Sequence, residues 1–359
     1  MSRYWSEGLA DLDPYVPGEQ PRDQKTYIKL NTNESPYPPS PRVIQAIRDA
    51  ASSSLRLYPD PTCMALRETI GGKLGLPESR VFAGNGSDEI LAFAFAAFFR
   101  HPEPLLFPDI SYSFYPVYAR FFGQNAQPIQ TRADFSIPLD EFLVPNAGIA
   151  LANPNAPTGR GIDPALLLPV LEHNRALGRV VLVDEAYVDF GGTSAAPLVG
   201  EFPNLLVVQT LSKSRSLAGL RAGFALGQEE LIEGLERVKS SINSYTLDRL
   251  ALAGAKAALE DEEYFQETRA KIMATRENAT RSLRYLGFDV IPSQANFLFA
   301  SHPEMQASRI YAELKAAGVL VRHFNKPRIE NYLRISVGTD EDMSALAARL
   351  SAILGRPAP

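Results

Sequence analysis

Cysteine is nearly missing from this chain of 359 residues: Cys63 stands alone. One thiol excludes an internal disulfide and a cysteine-based zinc site. The four histidines, at 101, 173, 302 and 323, form no HxxxH pair. No Lys/Arg-rich run occurs and the formal net charge is −5, so a nucleic-acid or acidic-membrane partner is not expected. The longest apolar stretch, LAFAFAAFF (91–99), is too short to span a bilayer. The opening MSRYWSEGLADLDPY is polar and acidic, unlike a signal peptide. Internal repeats and low-complexity segments are lacking, as are a spaced-glycine dinucleotide fingerprint and a P-loop, so neither a nicotinamide nor an ATP site is supported. The expectation is a cytoplasmic enzyme or binding protein.

What is present is ordinary for a protein with a real core: 45% apolar and 21% charged residues. The length favours two domains. Residues 1–40 are rich in Pro, Asp and Asn and read as an irregular arm with one short strand candidate, YIKL. Ser40-Pro41 opens a helix with Val43, Ile47 and Ala50 on one face. A second helix runs from Thr62 to near Gly75. From residue 80 strands and helices alternate. RVFAG leads into GNGSDE and a helix, PLLF (104–107) into a helix carrying Tyr112, and GIALAN into NPNAPTG. RVVLVDEAY, LLVVQT and RAGFAL complete the strands. Continuous apolar strands alternating with helices predict a parallel or mixed α/β sheet covered on both faces. After about residue 245 the texture changes to long helical pattern, then strands and helices of a smaller α+β domain. The division expected is an arm over 1–40, a large domain over 41–245 and a small domain over 246–359.

In open α/β sheets ligands bind beyond the carboxyl ends of the strands. Four unusual features fall at such ends: GNGSDE (84–89), NPNAPTG (153–159), DEAY (184–187) and TLSK (210–213). In GNGSDE two glycines allow close backbone approach, and Ser87 is a good N-cap for a helix whose free amides can bind phosphate. Asp184 is a solvated strand end, a metal ligand or the partner of a buried cation; with no His or paired acid nearby, a metal is weakly supported. Glu185 points to the opposite face if the strand continues. Lys213 is either a loop lysine or a nucleophile whose amine is activated by desolvation and a neighbouring cation. Arg221 is that cation, or holds a phosphate with two parallel hydrogen bonds. A phosphate cradle, a carboxylate and a nucleophilic lysine together suit pyridoxal 5'-phosphate.

These residues resemble the fold type I pyridoxal-phosphate aminotransferases (class I/II), and among them the histidinol-phosphate aminotransferases. The likeness covers almost the whole chain, in family order. It is carried by LDPYVPG (12–18), KLNTNESPY (29–37), RLYPDP (56–61), AGNGSDEI (83–90), NPNAPTG, VDEAYVDF (183–190), TLSKSRSLAGLRAGF (210–224), NKP (325–327) and YLRISVG (332–338). The resemblance implies a large domain with a mostly parallel seven-stranded sheet sandwiched by helices, plus a smaller α+β domain. It implies a ping-pong transfer from L-histidinol phosphate to 2-oxoglutarate, in histidine biosynthesis, with an aromatic amino-acid aminotransferase and a threonine-phosphate decarboxylase as the alternatives. Lys213 is implied to hold the cofactor as a Schiff base and to move the Cα proton. Asp184 pairs with the pyridinium nitrogen, Tyr187 bonds the ring oxygen and Tyr112 stacks on the ring. Backbone amides of Ser87 and Asp88, with Ser212 and Arg221, take the phosphate. Tyr58 reaches the phosphate of the partner subunit's cofactor, which implies a homodimer with shared sites. Tyr15, Asn33, Arg322 and Arg334 are implied as substrate contacts.

Two departures stand out. Many relatives have an asparagine before the proline of NPNAPTG; here Ala156 takes that position, and Asn155 is nominated as the substitute donor to the ring oxygen. Ser214-Arg215-Ser216 differs from relatives too, with Arg215 either a surface residue or an added positive charge near the cofactor.

Overall fold

The structure is a computed structural model describing residues 3–6, 8–15, 18–20 and 26–357. Val16 and Pro17 of the LDPYVPG motif, and parts of the arm expected over 1–40, lie outside the described residues. The arm contributes strand β1 (Ile28–Lys29) and leads into α1 (Pro41–Ala50) and α2 (Met64–Leu74). The Ser40 side chain accepts from the Val43 amide, and Pro41 occupies the first helical position, so α1 starts where the sequence predicts.

The alternating region then gives β2 (Val81–Gly84), α3 (Gly86–Phe98), β3 (Leu105–Pro108), α4 (Tyr115–Phe121), β4 (Ala126–Ile129), β5 (Gly148–Ala152), α5 (Leu168–Leu177), β6 (Val181–Asp184), β7 (Leu205–Thr210), β8 (Gly223–Leu226) and α6 (Glu229–Ile242). Seven strands form one sheet in the order β2-β8-β7-β6-β5-β3-β4. All neighbours are parallel except β8, which runs antiparallel to both β2 and β7. Alternate residues serve opposite faces. Val181, Val183, Leu205 and Val207 join one apolar layer, while Leu182, Leu206 and Val208 join the other. That double burial is why the strands read as unbroken apolar runs.

Helices α7 (Arg249–Glu260) and α8 (Glu262–Tyr285) follow, then β9 (Asp289–Ile291), β10 (Phe297–Ser301), α9 (Ala307–Ala316), β11 (Val319–Leu320), β12 (Arg322–His323), β13 (Leu333–Ser336) and α10 (Asp340–Leu354). Four of these strands form an antiparallel sheet, β12-β13-β10-β9, and β11 pairs in parallel with β1 of the arm. A separate apolar cluster, including Leu298, Ile310, Ile335 and Leu346, packs this part. Leu30 of the arm is buried in the same cluster. No described helix is long and apolar enough to cross a membrane.

Two local expectations are corrected. Tyr112 sits in the loop before α4, not in a helix, because the helix begins only at Tyr115, just before Pro116. Ser87 is inside the first turn of α3, and Asn85 takes the capping position without a side-chain cap bond. Strand β4, with Pro128 in it, lies at the sheet edge, the place in a sheet that tolerates proline.

Candidate active site

The carboxyl ends of β6 and β7, the start of α3, the arm and the β12–β13 pair enclose a cavity of about 340 Å³. Strand β6 ends on Asp184, and the turn after β7 carries Ser212 and Lys213. Asp184, Lys213, Tyr187, Tyr112, Ser87 and Arg221 all line this one space. Asp184 is only 5% exposed. Its oxygens accept from the Ala186 amide (3.1 Å) and the Tyr115 hydroxyl (3.4 Å). Among the described residues it forms no ion pair, and burial pushes its carboxyl up to about 7, with nearby Asp88 adding to the rise. Lys213 Nζ donates to the Thr32 carbonyl at 3.4 Å and lies 5.8 Å from the Tyr187 ring centre. Glu185 takes the opposite face, as its position in the strand predicts. There it is held by Ser194, the Ala195 amide and Gln209, and burial pushes its carboxyl up to about 7 too.

The floor beside β2 is shaped for an anion. Helix α3 starts at Gly86, so the Ser87 and Asp88 amides belong to its first turn, where backbone N–H groups have no partner within the helix. Gly86 has φ +77°, and a Cβ there would fall 2.6 Å from the Arg221 guanidinium. Gly223, where β8 begins, is equally tight: a Cβ would fall 2.8 Å from the Ser87 nitrogen. Glycine at both positions keeps the helix start open to Arg221. The arginine adopts φ 55° and donates to Ser212 Oγ (3.4 Å) and Asp88 (3.5 Å). Asp88 also accepts from the Tyr112 hydroxyl at 2.6 Å, which holds the loop ring against the cavity. The sequence reading assigned Asp88 only its amide. The side-chain role was invisible because Tyr112 and Arg221 lie 24 and 133 residues away.

The opposite wall is cationic. Arg322 of β12 and Arg334 of β13 are register partners across antiparallel strands, and both line the cavity. Like charges directly opposite each other destabilise a strand pair, so the arrangement favours an anion between them. Arg334 is withdrawn from water, which lowers its guanidinium pKa; one Nη donates to the Asn31 carbonyl (3.0 Å) while Nε has no partner among the described residues. A second space of about 260 Å³ adjoins this wall and shares Tyr15, Tyr112, Arg322 and Arg334 with the first. Tyr15 packs against Phe114 with ring centres 4.4 Å apart.

Several expected residues are placed differently. Asn155 is fully buried and turned away; its amide nitrogen donates to the Ile110 carbonyl and Thr158, and its oxygen accepts from Ser111. It has no donor left for the cavity, so its nomination as the substitute for the residue at Ala156 fails. Asn153 does not line the cavity and is held by the Ile162 carbonyl and N–H. Asn33 reaches the cavity, but its side chain is committed to Tyr187 and Ser336 rather than free for substrate. Tyr58 does not line its own chain's cavity; it is 77% exposed and stacks on Tyr245 at 4.6 Å. Arg215 is neither free surface nor a cavity cation. It lies 3.4 Å over the Phe265 ring and donates to the Ala258 carbonyl. Its neighbours Ser214 and Ser216 bond Asp189 and Ser35. The whole Ser214-Arg215-Ser216 segment therefore anchors the turn that carries Lys213. Asn31 and Thr32, within the quoted KLNTNESPY but given no role there, hold Arg334 and Lys213 through their carbonyls. Backbone acceptors leave no residue-type signal in a sequence.

Residues 25–350 match the model of the aminotransferase class I and II family. A histidinol-phosphate aminotransferase of Clostridium beijerinckii is 54% identical over 354 residues, covering 99% of this chain and 98% of that one. One from Aromatoleum aromaticum is 55% identical over 362 residues, covering 99% of this chain and all of its own length. Among solved structures, a histidinol-phosphate aminotransferase from Sinorhizobium meliloti in complex with pyridoxal-5'-phosphate superposes with a TM-score of 0.87, covering 99% and 98% of the two chains. At 24% identity that likeness speaks for the fold.

Proposed function

The chain belongs to the class I and II aminotransferases, and on that premise we propose that it moves the amino group of L-histidinol phosphate to 2-oxoglutarate, with pyridoxal 5'-phosphate as cofactor. The observation that carries the substrate reading is the facing pair Arg322 and Arg334, which suits a dianion such as a phosphate monoester better than a single carboxylate. The relatives at 54% and 55% identity point the same way.

The residues fit the cofactor. Asp184 is a buried carboxylate without an ion-pair partner among the described residues, at the floor of the cavity. The start of α3 with Arg221 forms a cradle that a Cβ at Gly86 would fill. When bound, pyridoxal 5'-phosphate supplies a carbonyl that an amine can hold and a ring that accepts carbanion charge. Lys213 is the amine in reach, and the same Nζ takes and returns the proton at the substrate Cα. Asp184 would hold negative charge for a cationic ring nitrogen, which would reverse the effect of its burial. Tyr112, fixed by Asp88, lines the cavity and would pack on the ring. Arg221, Ser212 and the first-turn amides of α3 would bind the phosphate. Arg322 and Arg334 orient the phosphate of the donor and then the carboxylates of 2-oxoglutarate, so one cavity serves both substrates in turn, as ping-pong transfer requires. Tyr15 closes the outer side against Phe114.

The proposal includes a division into an arm (1–40), a large domain (41–245) and a small domain (246–359). Support comes from the separate apolar cluster of the small sheet and from the β1–β11 pairing of the arm with it. It also includes a homodimer in which Tyr58 completes the partner's phosphate site. Leu55, Leu57, Tyr58 and Ile242 are more than half exposed, and the Arg249 guanidinium holds the Tyr58 carbonyl at 3.1 Å, so the ring is presented outward on a fixed loop. Steady-state assays with histidinol phosphate, phenylalanine and threonine phosphate test the substrate. The highest kcat/KM is expected for histidinol phosphate; a higher value for phenylalanine makes the enzyme an aromatic amino-acid aminotransferase, and CO2 release from threonine phosphate makes it a decarboxylase.

A further inference from the structure

Tyr187 is buried at the cavity wall, its ring packed edge-on against Phe297 at 5.0 Å. Ala156, beside it in the lining, has only a methyl group, and Asn153 and Asn155 are both spent elsewhere. Among the described residues the Tyr187 hydroxyl has one hydrogen-bond partner, the Asn33 amide nitrogen at 3.0 Å. Asn33 is itself locked. It is 1% exposed with φ 55°, its backbone N–H donates to Ser336 Oγ (2.8 Å) and its carbonyl accepts from Asn296 (3.0 Å). Ser336 Oγ, having accepted from that N–H, donates its own proton to Asn33 Oδ1 (3.0 Å). In this arrangement the amide oxygen faces Ser336 and the –NH2 group faces Tyr187.

An amide nitrogen donates and does not accept. A phenol that receives Asn33's N–H must therefore point its own O–H elsewhere, and the open side is the cavity. We propose that Asn33 is a positioning residue: it aims the Tyr187 hydroxyl proton into the cavity as the donor to the cofactor's ring oxygen. This rests on the reading that the cavity holds pyridoxal 5'-phosphate. Asn33 also ties the tyrosine to Ser336 and Asn296, on and beside the small antiparallel sheet, so the placement of that sheet is felt at the ring oxygen.

A donor on the ring oxygen drains its negative charge and weakens its hold on the proton at Lys213 Nζ. Losing the donor raises the pH at which that proton leaves, and the visible absorbance of the holoenzyme reports that midpoint. Tyr15, Asp88, Tyr112, Asp184, Lys213, Arg221, Arg322 and Arg334, the charged and titratable groups that share the cavity with Tyr187, stay unchanged in every variant. Asn33→Ala is expected to raise the midpoint by about half to one pH unit, the worth of one neutral hydrogen bond. Asn33→Asp keeps the shape and suits φ 55°, and as an acceptor it draws the tyrosine's proton away, so a larger rise is expected. In a Tyr187→Phe background, Asn33→Ala should add nothing further. An equal shift in both backgrounds, or no shift in a variant that melts with the parent, overturns the proposal. A parent protein that shows no visible cofactor band overturns the functional reading and the proposal with it, an outcome distinct from a band that fails to move.

Discussion

At the floor of the cavity, Asp184 ends one strand and Lys213 stands just past its neighbour in a sheet buried on both faces. At its rim, Arg322 and Arg334 face each other across two antiparallel strands of a small sheet. The floor is over-determined: Lys213 bonds Thr32, and the three residues after it each have an anchor. The rim is charged, with two guanidinium groups in register and Arg334 Nε lacking a hydrogen-bond partner among the described residues. A rigid floor suits chemistry whose geometry is the same for every substrate. In the function proposed above, the rim is where an anionic substrate is selected.

Removing the floor's amine is expected to have the largest effect. Lys213→Ala should lower transamination by about 1000-fold or more and abolish the visible band of the bound cofactor; retention of that band would show that another amine holds it. The rim should respond by substrate rather than by chemistry. Arg334→Leu is expected to lower kcat/KM for histidinol phosphate about 100-fold and Arg322→Leu about tenfold, as loss of charged hydrogen bonds allows. Equal losses for phenylalanine in the Arg322 variant would remove the distinction between floor and rim. Gly86→Ala places a methyl against Arg221 at positive φ, and should weaken cofactor binding about tenfold, read by titration of the cofactor-free protein.

The smallest expected effect is a pH slope. The Asp184 carboxyl is raised from 3.8 to about 7 by burial, so between those values the native state of the cofactor-free protein holds a proton that the unfolded chain has lost. Stability from this group is full below that window and falls as pH rises through it. Asp184→Asn should make the decline in Tm between about pH 5 and pH 7 shallower, leaving the share that belongs to Glu185. An unchanged slope would mean that water reaches Asp184.

Much of the floor was legible in the sequence because strand ends carry residue types that are unusual there. An acid after VVLV, a lysine after LLVVQT and glycines before a helix mark one crevice once the strands are recognised as parallel neighbours. The failures share a cause. Asn155 is the asparagine next to Ala156 in the sequence, but its partners Ile110 and Ser111 come from another loop and turn it inward. Tyr112 is expected on the helix after PLLF, whereas that helix starts three residues later and Asp88 fixes the ring.

By itself the sequence determined the periodicities, and with them the doubly covered sheet, the change of texture after about residue 245 and the order of the motifs along the chain. Local pattern suffices for these, because burial on one or two faces is written residue by residue. Only the tertiary structure decided the directions of side chains. Asn33 is turned onto Tyr187, Arg215 onto Phe265, and Arg322 is set opposite Arg334. Each of these depends on partners tens to hundreds of residues away or on strand register, and neither quantity exists until the chain has folded.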